Sequence, residues 1–306
     1  MTQHLGWRSL FFVNVPLGIL ILVLISLKLK DQEWIEFPGA RFDWPGALIY
    51  GAGLVMTMYG FSTLPDFPSS VLVLAGLVAL AGFLVRELRI ESPLLDIRLF
   101  RANRAFTLSN LAAFINYSAT AGIGLLLSLY LQYNKLLSAQ QAGLVLVAQP
   151  VMQAVFSPLA GRLSDRIQPR IVASIGMGLT TLGLLALAFI GRQTALPVIV
   201  LVLLLHGLAF ALFSSPNTNA VMSAVDRRFY GVAAGTLATM RSTGQMFSLG
   251  VALLMFSRFI GHAKITPDNA ERFLASARWS FAIFAALCLL GVFASLARGR
   301  RVVEQQ

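Results

Sequence analysis

Residues 196–213 read LPVIVLVLLLHGLAFALF, eighteen positions with a single histidine and no formal charge. As a helix that run rises about 27 Å at 1.5 Å per residue, close to the ~30 Å hydrocarbon core of a bilayer. Polar and apolar residues do not alternate along it, so a barrel strand is excluded. Backbone N–H and C=O groups in hydrocarbon must bond within their own segment, which leaves the helix. Comparable runs recur, and the same reading predicts membrane helices over 10–27, 44–64, 68–85, 106–131, 142–159, 171–190, 196–220, 232–256 and 279–296. Composition agrees: 57% of the 306 residues are hydrophobic and 12% charged, where a soluble domain is about one quarter charged. The fold class is therefore all-α, a polytopic membrane protein of about nine transmembrane helices whose main partner is the lipid bilayer.

The formal charge of +11 would suggest nucleic acid in a soluble chain. Here the basic residues sit in short clusters between apolar runs, the pattern that orients membrane helices, and no nucleic-acid partner is expected. If the first helix runs from outside to inside, the 24 Lys and Arg residues divide unevenly. Arg8, Lys135, Arg192, Arg258, Lys264, Arg272 and Arg278 fall outside, Arg241 falls within a helix, and all others fall inside. The bias predicts a cytoplasmic C-terminus, with Arg98 and Arg166 inside and Lys135 and Lys264 outside. Cys288, the sole cysteine, lies in the last apolar run, so an internal disulfide or a cysteine-based metal site is excluded; no metal or cofactor is expected. The first run contains Asn14 and Pro16 and lacks a small-residue cleavage site, and reads as a retained helix rather than a signal. The sequence carries no GxxxxGK[ST], HExxH or GxSxG pattern, which argues against a nucleotide-driven pump and against an enzyme.

Chemistry-bearing residues are few. Arg241 lies about ten residues into its helix, ~15 Å along it. An arginine near mid-bilayer costs about 2.5–3.5 kcal/mol, so it either faces protein, water or a carboxylate, or snorkels to the surface. The stretch Ser214-Ser215-Pro216-Asn217-Thr218-Asn219 interrupts an apolar helix, and Pro216 removes an amide donor. It reads as a hinge or gate, or as a packed kink. His206 is the deep group that titrates nearest neutrality, and both ion coupling and plain packing fit it. No acidic residue lies deep in any run. Asn110, Tyr117, Gly124 and Ser128 recur at intervals of seven and four, with Asn116 and Thr120 beside them, while Gln149, Gln153 and Ser157 repeat every four. Such stripes either line a watery path or bond helices together. Pro150 loosens the helix beside the second stripe. Gly231 and Gly235, and Gly46, Gly51, Gly53 and Gly60, predict close helix approach. Gly161-Arg162-Leu163-Ser164-Asp165-Arg166 is expected to link two helices, with Gly161 allowing close approach and Asp165 accepting at a helix start.

Three segments carry a resemblance. The first is Gly6-Trp7-Arg8-Ser9-Leu10-Phe11-Phe12-Val13-Asn14-Val15-Pro16-Leu17-Gly18. The second is Pro93-Leu94-Leu95-Asp96-Ile97-Arg98-Leu99-Phe100-Arg101 with Phe106 after it. The third runs from Tyr130-Leu131-Gln132 through Ala142-Gly143-Leu144 to the Gly161–Arg166 motif. In that order they resemble the major facilitator superfamily and, within it, the fourteen-spanner drug/proton antiporters of the EmrB/QacA type. The resemblance implies that residues 1–30 hold the last helix of an otherwise absent N-terminal bundle. Residues 31–105 would hold two linker helices and a cytoplasmic amphipathic segment, and 106–306 a six-helix C-terminal bundle. The missing N-terminal helices, on the same or a separate chain, would be a partner.

It further implies a secondary active transporter in a bacterial inner membrane, exporting small amphipathic or cationic compounds against protons or another coupling ion. Gly161, Arg162, Asp165 and Arg166 would form a cytoplasmic latch favouring the outward-facing state, although Gln168 stands where the family has Gly. Candidates for the substrate path are Asn110, Asn116, Tyr117, Gln149, Gln153, His206, Asn217 and Arg241. Leu94, Leu95, Ile97, Leu99 and Phe100 are expected at the membrane interface. Without the resemblance, a structural or assembly protein with no transport activity of its own remains the alternative.

Overall fold

The computed structural model describes residues 9–28, 43–63, 66–90, 93, 100, 103–261, 265–266 and 269–297. Of the residues that carry expectations, Gly6, Trp7, Arg8, Leu94, Leu95, Asp96, Ile97, Arg98, Leu99, Arg101 and Lys264 lie outside those described. The chain divides into two compact units, Met1–Arg41 and Phe42–Gln306. In the first, α1 (Ser9–Lys28) is an apolar rod with Pro16 inside it.

The second unit opens with a hairpin, α2 (Trp44–Thr63) and α3 (Phe67–Glu87). Gly46, Gly53 and Gly60 recur every seven residues and so share the face turned to α3. A Cβ on Gly60 would stand 2.8 Å from the Val73 amide nitrogen, and one on Gly76 would stand 2.6 Å from that of Thr57, so only glycine lets these backbones close. Gly51, expected to join them, has open space around it. The ends of the hairpin are clamped by Arg86, whose Nη2 lies 2.7 Å from Asp43 Oδ1 and whose Nε lies 3.3 Å from Oδ2. That two-pronged contact holds the Asp43 carboxyl below its usual range.

Six spans follow. The first is α4 (Arg104–Thr120), α5 (Gly122–Leu129) and a π-helical turn, Tyr130–Asn134. The second is α6 (Ala139–Leu146) with α7 (Ala148–Arg166). Then come α8 (Pro169–Ala188), α9 (Leu196–Met222), α10 (Tyr230–Ile260) and α11 (Ala270–Leu296). α4 packs against α9, α10 and α11; α8 packs against α9 and α11; α7 lies on α9, and α2 runs along α10. Phe106, Tyr130, Phe213, Phe273, Phe281 and Phe284 are the largest fully buried side chains of this unit. Among the described residues, 7 helical spans are long and apolar enough to cross a bilayer; with α1 and α2, helices of 20 residues outside that set, the count is roughly consistent with the expected nine.

Two expected single helices are divided, each for a visible reason. Between α4 and α5 the Gly122 amide leaves the helical ladder and donates to Ser248 Oγ of α10 at 2.9 Å, so the turn loses a bond. Between α6 and α7 the break falls at Val147, one turn ahead of Pro150, whose ring removes the donor that the Leu146 carbonyl needs. The last helix starts at Ala270 rather than near 279, because its first turns are amphipathic: Phe273, Leu274 and Ala277 are buried while Glu271, Arg272 and Arg278 are exposed. Phe100, expected at the lipid interface, packs edge-on against Phe106 with centroids 5.0 Å apart.

Candidate functional site

Hydrogen bonds define the two ends of the six-span bundle. At one, Asn103 accepts from the Phe106 amide at 2.9 Å, capping α4, while its Nδ2 donates to the Ala224 carbonyl beyond α9. At the other, Tyr130 Oη donates to the Gly191 carbonyl at 2.7 Å. Asn134 Nδ2 donates to the Ala270 carbonyl at 3.0 Å, and Arg192 pairs with Glu271 at 2.6 Å. Lys135 donates to the Arg192 carbonyl and so belongs to the end opposite Ser164 and Asn219.

Between these ends α4, α9 and α10 converge on Arg241. Side chains on a helix lean toward its N-terminus, and the Arg241 side chain ends against Thr218 of α9, Nη2 donating to Oγ1 at 2.6 Å. The guanidinium carbon lies 5.6 Å from the centroid of the Tyr117 ring of α4, within cation–π range. Tyr117 in turn meets Phe210 of α9 edge-on, centroids 5.4 Å apart at 87°. Arg241 is therefore half-buried, held by one hydroxyl and one ring, and its Nε has no partner. Gly244, one turn on, makes this possible: its missing Cβ would stand 3.0 Å from Tyr117 Cβ, so α10 lies directly on α4.

The neighbours in sequence of these contacts are the most unusual polar groups of the bundle. Asn116 is 0% exposed and Asn217 1%, and neither side-chain nitrogen nor oxygen of either has a hydrogen-bond partner. An unpaired buried polar group costs about 1–3 kcal/mol. Asn110 is also buried but spends its Nδ2 on the Phe106 carbonyl, 3.0 Å away in its own helix. The predicted stripe on α4 is thus turned inward from Asn110 to Thr120, whereas Gly124, past the break, is exposed and Ser128 half-buried.

The other candidates stand apart from this corner. His206 packs on Gly183 of α8, its Nδ1 3.0 Å from the Val202 carbonyl, inside the α8–α9 seam. Gln149 and Gln153 are half-buried where α7 meets Gly207 of α9, whose Cβ would lie 3.1 Å from the Gln153 amide nitrogen. Pro216 lies inside α9, which runs unbroken from Leu196 to Met222.

The Gly161–Arg166 motif is not a loop either. It forms the last turns of α7, and only Ile167 and Gln168 separate it from α8. Its contact with α9 is made by the uncharged members. Gly161 faces Ser215, and Ser164 Oγ accepts from Asn219 Nδ2 at 3.1 Å. Arg162, Asp165 and Arg166 are exposed. Gln168 has a negative φ of -51°, so glycine is not required there, and its Oε1 accepts from Arg170 Nε at 2.8 Å.

Sequence reasoning missed Thr218, Phe210 and Ser248. Thr218 lay inside the quoted polar stretch, but nothing in a single helix says which of its hydroxyls meets a cation from another. Among the described residues no group of three or more His, Cys, Asp or Glu is gathered that could hold a metal.

Known proteins share this sequence pattern. Residues 110–305 match the Major Facilitator Superfamily. The chain is 27% identical over 295 residues to the riboflavin transporter RibZ of Clostridioides difficile (strain 630), covering 95% of this chain and 63% of that protein. It is 29% identical over 299 residues to the uncharacterized transporter YebQ of Escherichia coli (strain K12), covering 96% and 63%. It is 30% identical over 259 residues to the multidrug resistance protein Stp of Mycobacterium tuberculosis (strain CDC 1551 / Oshkosh), covering 83% and 47%. The chain thus spans between about half and two thirds of the length of these relatives.

Proposed function

Because the chain belongs to the Major Facilitator Superfamily, we propose that it carries one side of the substrate path of a secondary active transporter of the drug/proton antiporter type. The transporter exports small amphipathic or cationic compounds against protons or another coupling ion. The observation that carries this reading is the corner of Arg241, Thr218 and Tyr117, flanked by the unpaired amides of Asn116 and Asn217. A packed interior seldom leaves both the nitrogen and the oxygen of a buried amide unsatisfied, whereas a path that takes up water or substrate supplies their partners. The fixed cation beside Tyr117 favours amphipathic over strictly cationic compounds at this corner, since like charges repel there.

In the same reading residues 106–306 are the six-helix C-terminal bundle, 31–105 the linker, and 1–30 the last helix of an N-terminal bundle. The end bearing Arg162, Arg166 and Arg170, and with it the C-terminus, faces the cytoplasm of a bacterial inner membrane. The reading is tested by changing Asn116, Tyr117, Gln149 and Gln153 singly to alanine and measuring efflux from cells producing the protein. A path-lining role gives an altered substrate profile at near-normal protein level. Reduced protein with an unchanged profile at all four sites overturns it.

A further inference from the structure

The hairpin touches α10 through Tyr50, which donates to Thr239, and through Phe61, which packs on Gly250, but the two do not close along their whole length. Between them lies a cavity of ≈ 370 Å³ bordered by Met58, Phe61, Met246 and Leu253, and toward the Asp43 end a larger one of ≈ 540 Å³ bordered by Tyr50, Phe83, Gly231, Gly235, Thr236 and Met240. From Gly231 to Leu253 the seam follows α10 for about 33 Å at 1.5 Å per residue, the depth of a bilayer core. The spacing of Gly231 and Gly235 predicted close helix approach, yet a Cβ on either would meet nothing within 4 Å; the small residues here open space instead of closing it.

The larger cavity has a polar feature that packing alone does not explain. Thr236 is 5% exposed and its Oγ1 has no hydrogen-bond partner, while Tyr50 Oη across the cavity donates to Thr239. Beyond the same end lie exposed basic residues, Arg227 four positions before Gly231 and Arg89 just past α3. Asp43 is already neutralised by Arg86; Glu87 and Asp226 stand at the same end, but with Arg228 beside Arg227 the basic residues there still outnumber the acidic ones. An apolar slot, an unpaired hydroxyl part-way down it and cations at its mouth match the order of groups along a phospholipid: acyl chain, ester carbonyl, phosphate.

We propose that this seam binds an anionic phospholipid from the surrounding leaflet. One acyl chain lies between the hairpin and α10, an ester carbonyl accepts from Thr236 Oγ1, and the phosphate rests near Arg89 and Arg227. The lipid then supplies the packing that α2 and α10 lack, and couples the hairpin to the bundle independently of any transported substrate.

The test is native mass spectrometry of the purified protein after incubation with phosphatidylglycerol or phosphatidylcholine. Phosphatidylglycerol is expected to be retained over phosphatidylcholine, and Gly235→Leu, which fills open space, to remove one retained lipid. Thr236→Val, isosteric and structurally mild, is expected to weaken retention several-fold, and Arg227→Gln to erase the headgroup preference. Equal retention of both lipids by the unaltered protein overturns the anionic assignment. Unchanged lipid counts in Gly235→Leu, or in Thr236→Val should the leucine variant not fold, overturn the site. Displacement of the bound lipid one-for-one by an exported drug assigns the cavity to substrate instead.

Discussion

At the scale of single residues, Asn116 and Asn217 separate stability from function. No protein group pairs either amide, so replacing it with leucine gives up no hydrogen bond within the protein. Asn116→Leu and Asn217→Leu are therefore expected to unfold at the same or a higher temperature while transport declines, measurable by thermal unfolding of purified protein beside efflux from cells. A lower unfolding temperature in both would mean that the amides are paired by protein groups in the folded state. Asp43 carries the opposite lesson. Its carboxyl is held below the usual range by Arg86, so its contribution is full above the unfolded pKa of about 3.9 and is lost as pH falls through the lower folded value. Asp43→Asn should therefore weaken the hairpin at neutral pH and flatten the loss of stability as pH falls below the ordinary aspartate range. An identical pH dependence in the variant would remove the ion pair from the account.

At the scale of elements, helix approach is decided by which glycine faces a backbone. A Cβ on Gly176 would stand 2.6 Å from the Ala209 carbonyl oxygen and 2.8 Å from the Phe213 amide nitrogen, whereas one on Gly178 meets nothing within 4 Å. Gly176→Ala is expected to cost about 1–3 kcal/mol through overpacking, while Gly178→Ala is neutral or gains up to about 1 kcal/mol from helix propensity. Thermal unfolding of the two purified variants checks the contrast, and equal behaviour would mean that α8 and α9 can separate without penalty. Ser248 is the matching case for a helix break. Ser248→Ala leaves the Gly122 amide without its acceptor, and faster hydrogen exchange at Gly122 is the expected signature. Neither effect is visible along one helix, since Gly176 and Gly178 are the same residue type two positions apart and only the neighbour differs.

At the scale of the whole molecule, the described helix ends alternate as the charge distribution requires. Lys135 joins Arg192 and Glu271 at one end, and Arg166 lies at the other, with the Ser164–Asn219 contact. Charge bias is our reason for proposing that the first end faces outside. In a Cys288→Ser background, Lys135→Cys is expected to react with an impermeant thiol reagent in intact cells and Arg166→Cys only after permeabilisation. The reverse pattern would invert the proposed topology. Cys288 is fully buried, so its replacement is needed only to silence slow background reaction.

The sequence by itself determined that the chain is helical and membrane-spanning and roughly where its spans lie, because the length of an apolar run and the need to satisfy backbone groups in lipid are local properties. It also marked Arg241, Tyr117, Asn116 and Asn217 as out of place in hydrocarbon, since a polar group's desolvation cost does not depend on its neighbours. What only the tertiary structure decided is which of them meet. Arg241 finds Thr218 and Tyr117, while His206, equally conspicuous in the sequence, is enclosed against Gly183. The same holds for the glycines. Gly53 and Gly60 close a helix pair and Gly231 and Gly235 open a cavity, although all four are small residues set along a helix face. The physical reason is that hydrophobicity, helix propensity and proline's missing donor act within a few residues, whereas hydrogen-bond partners, close approaches and voids belong to pairs of helices far apart in the chain.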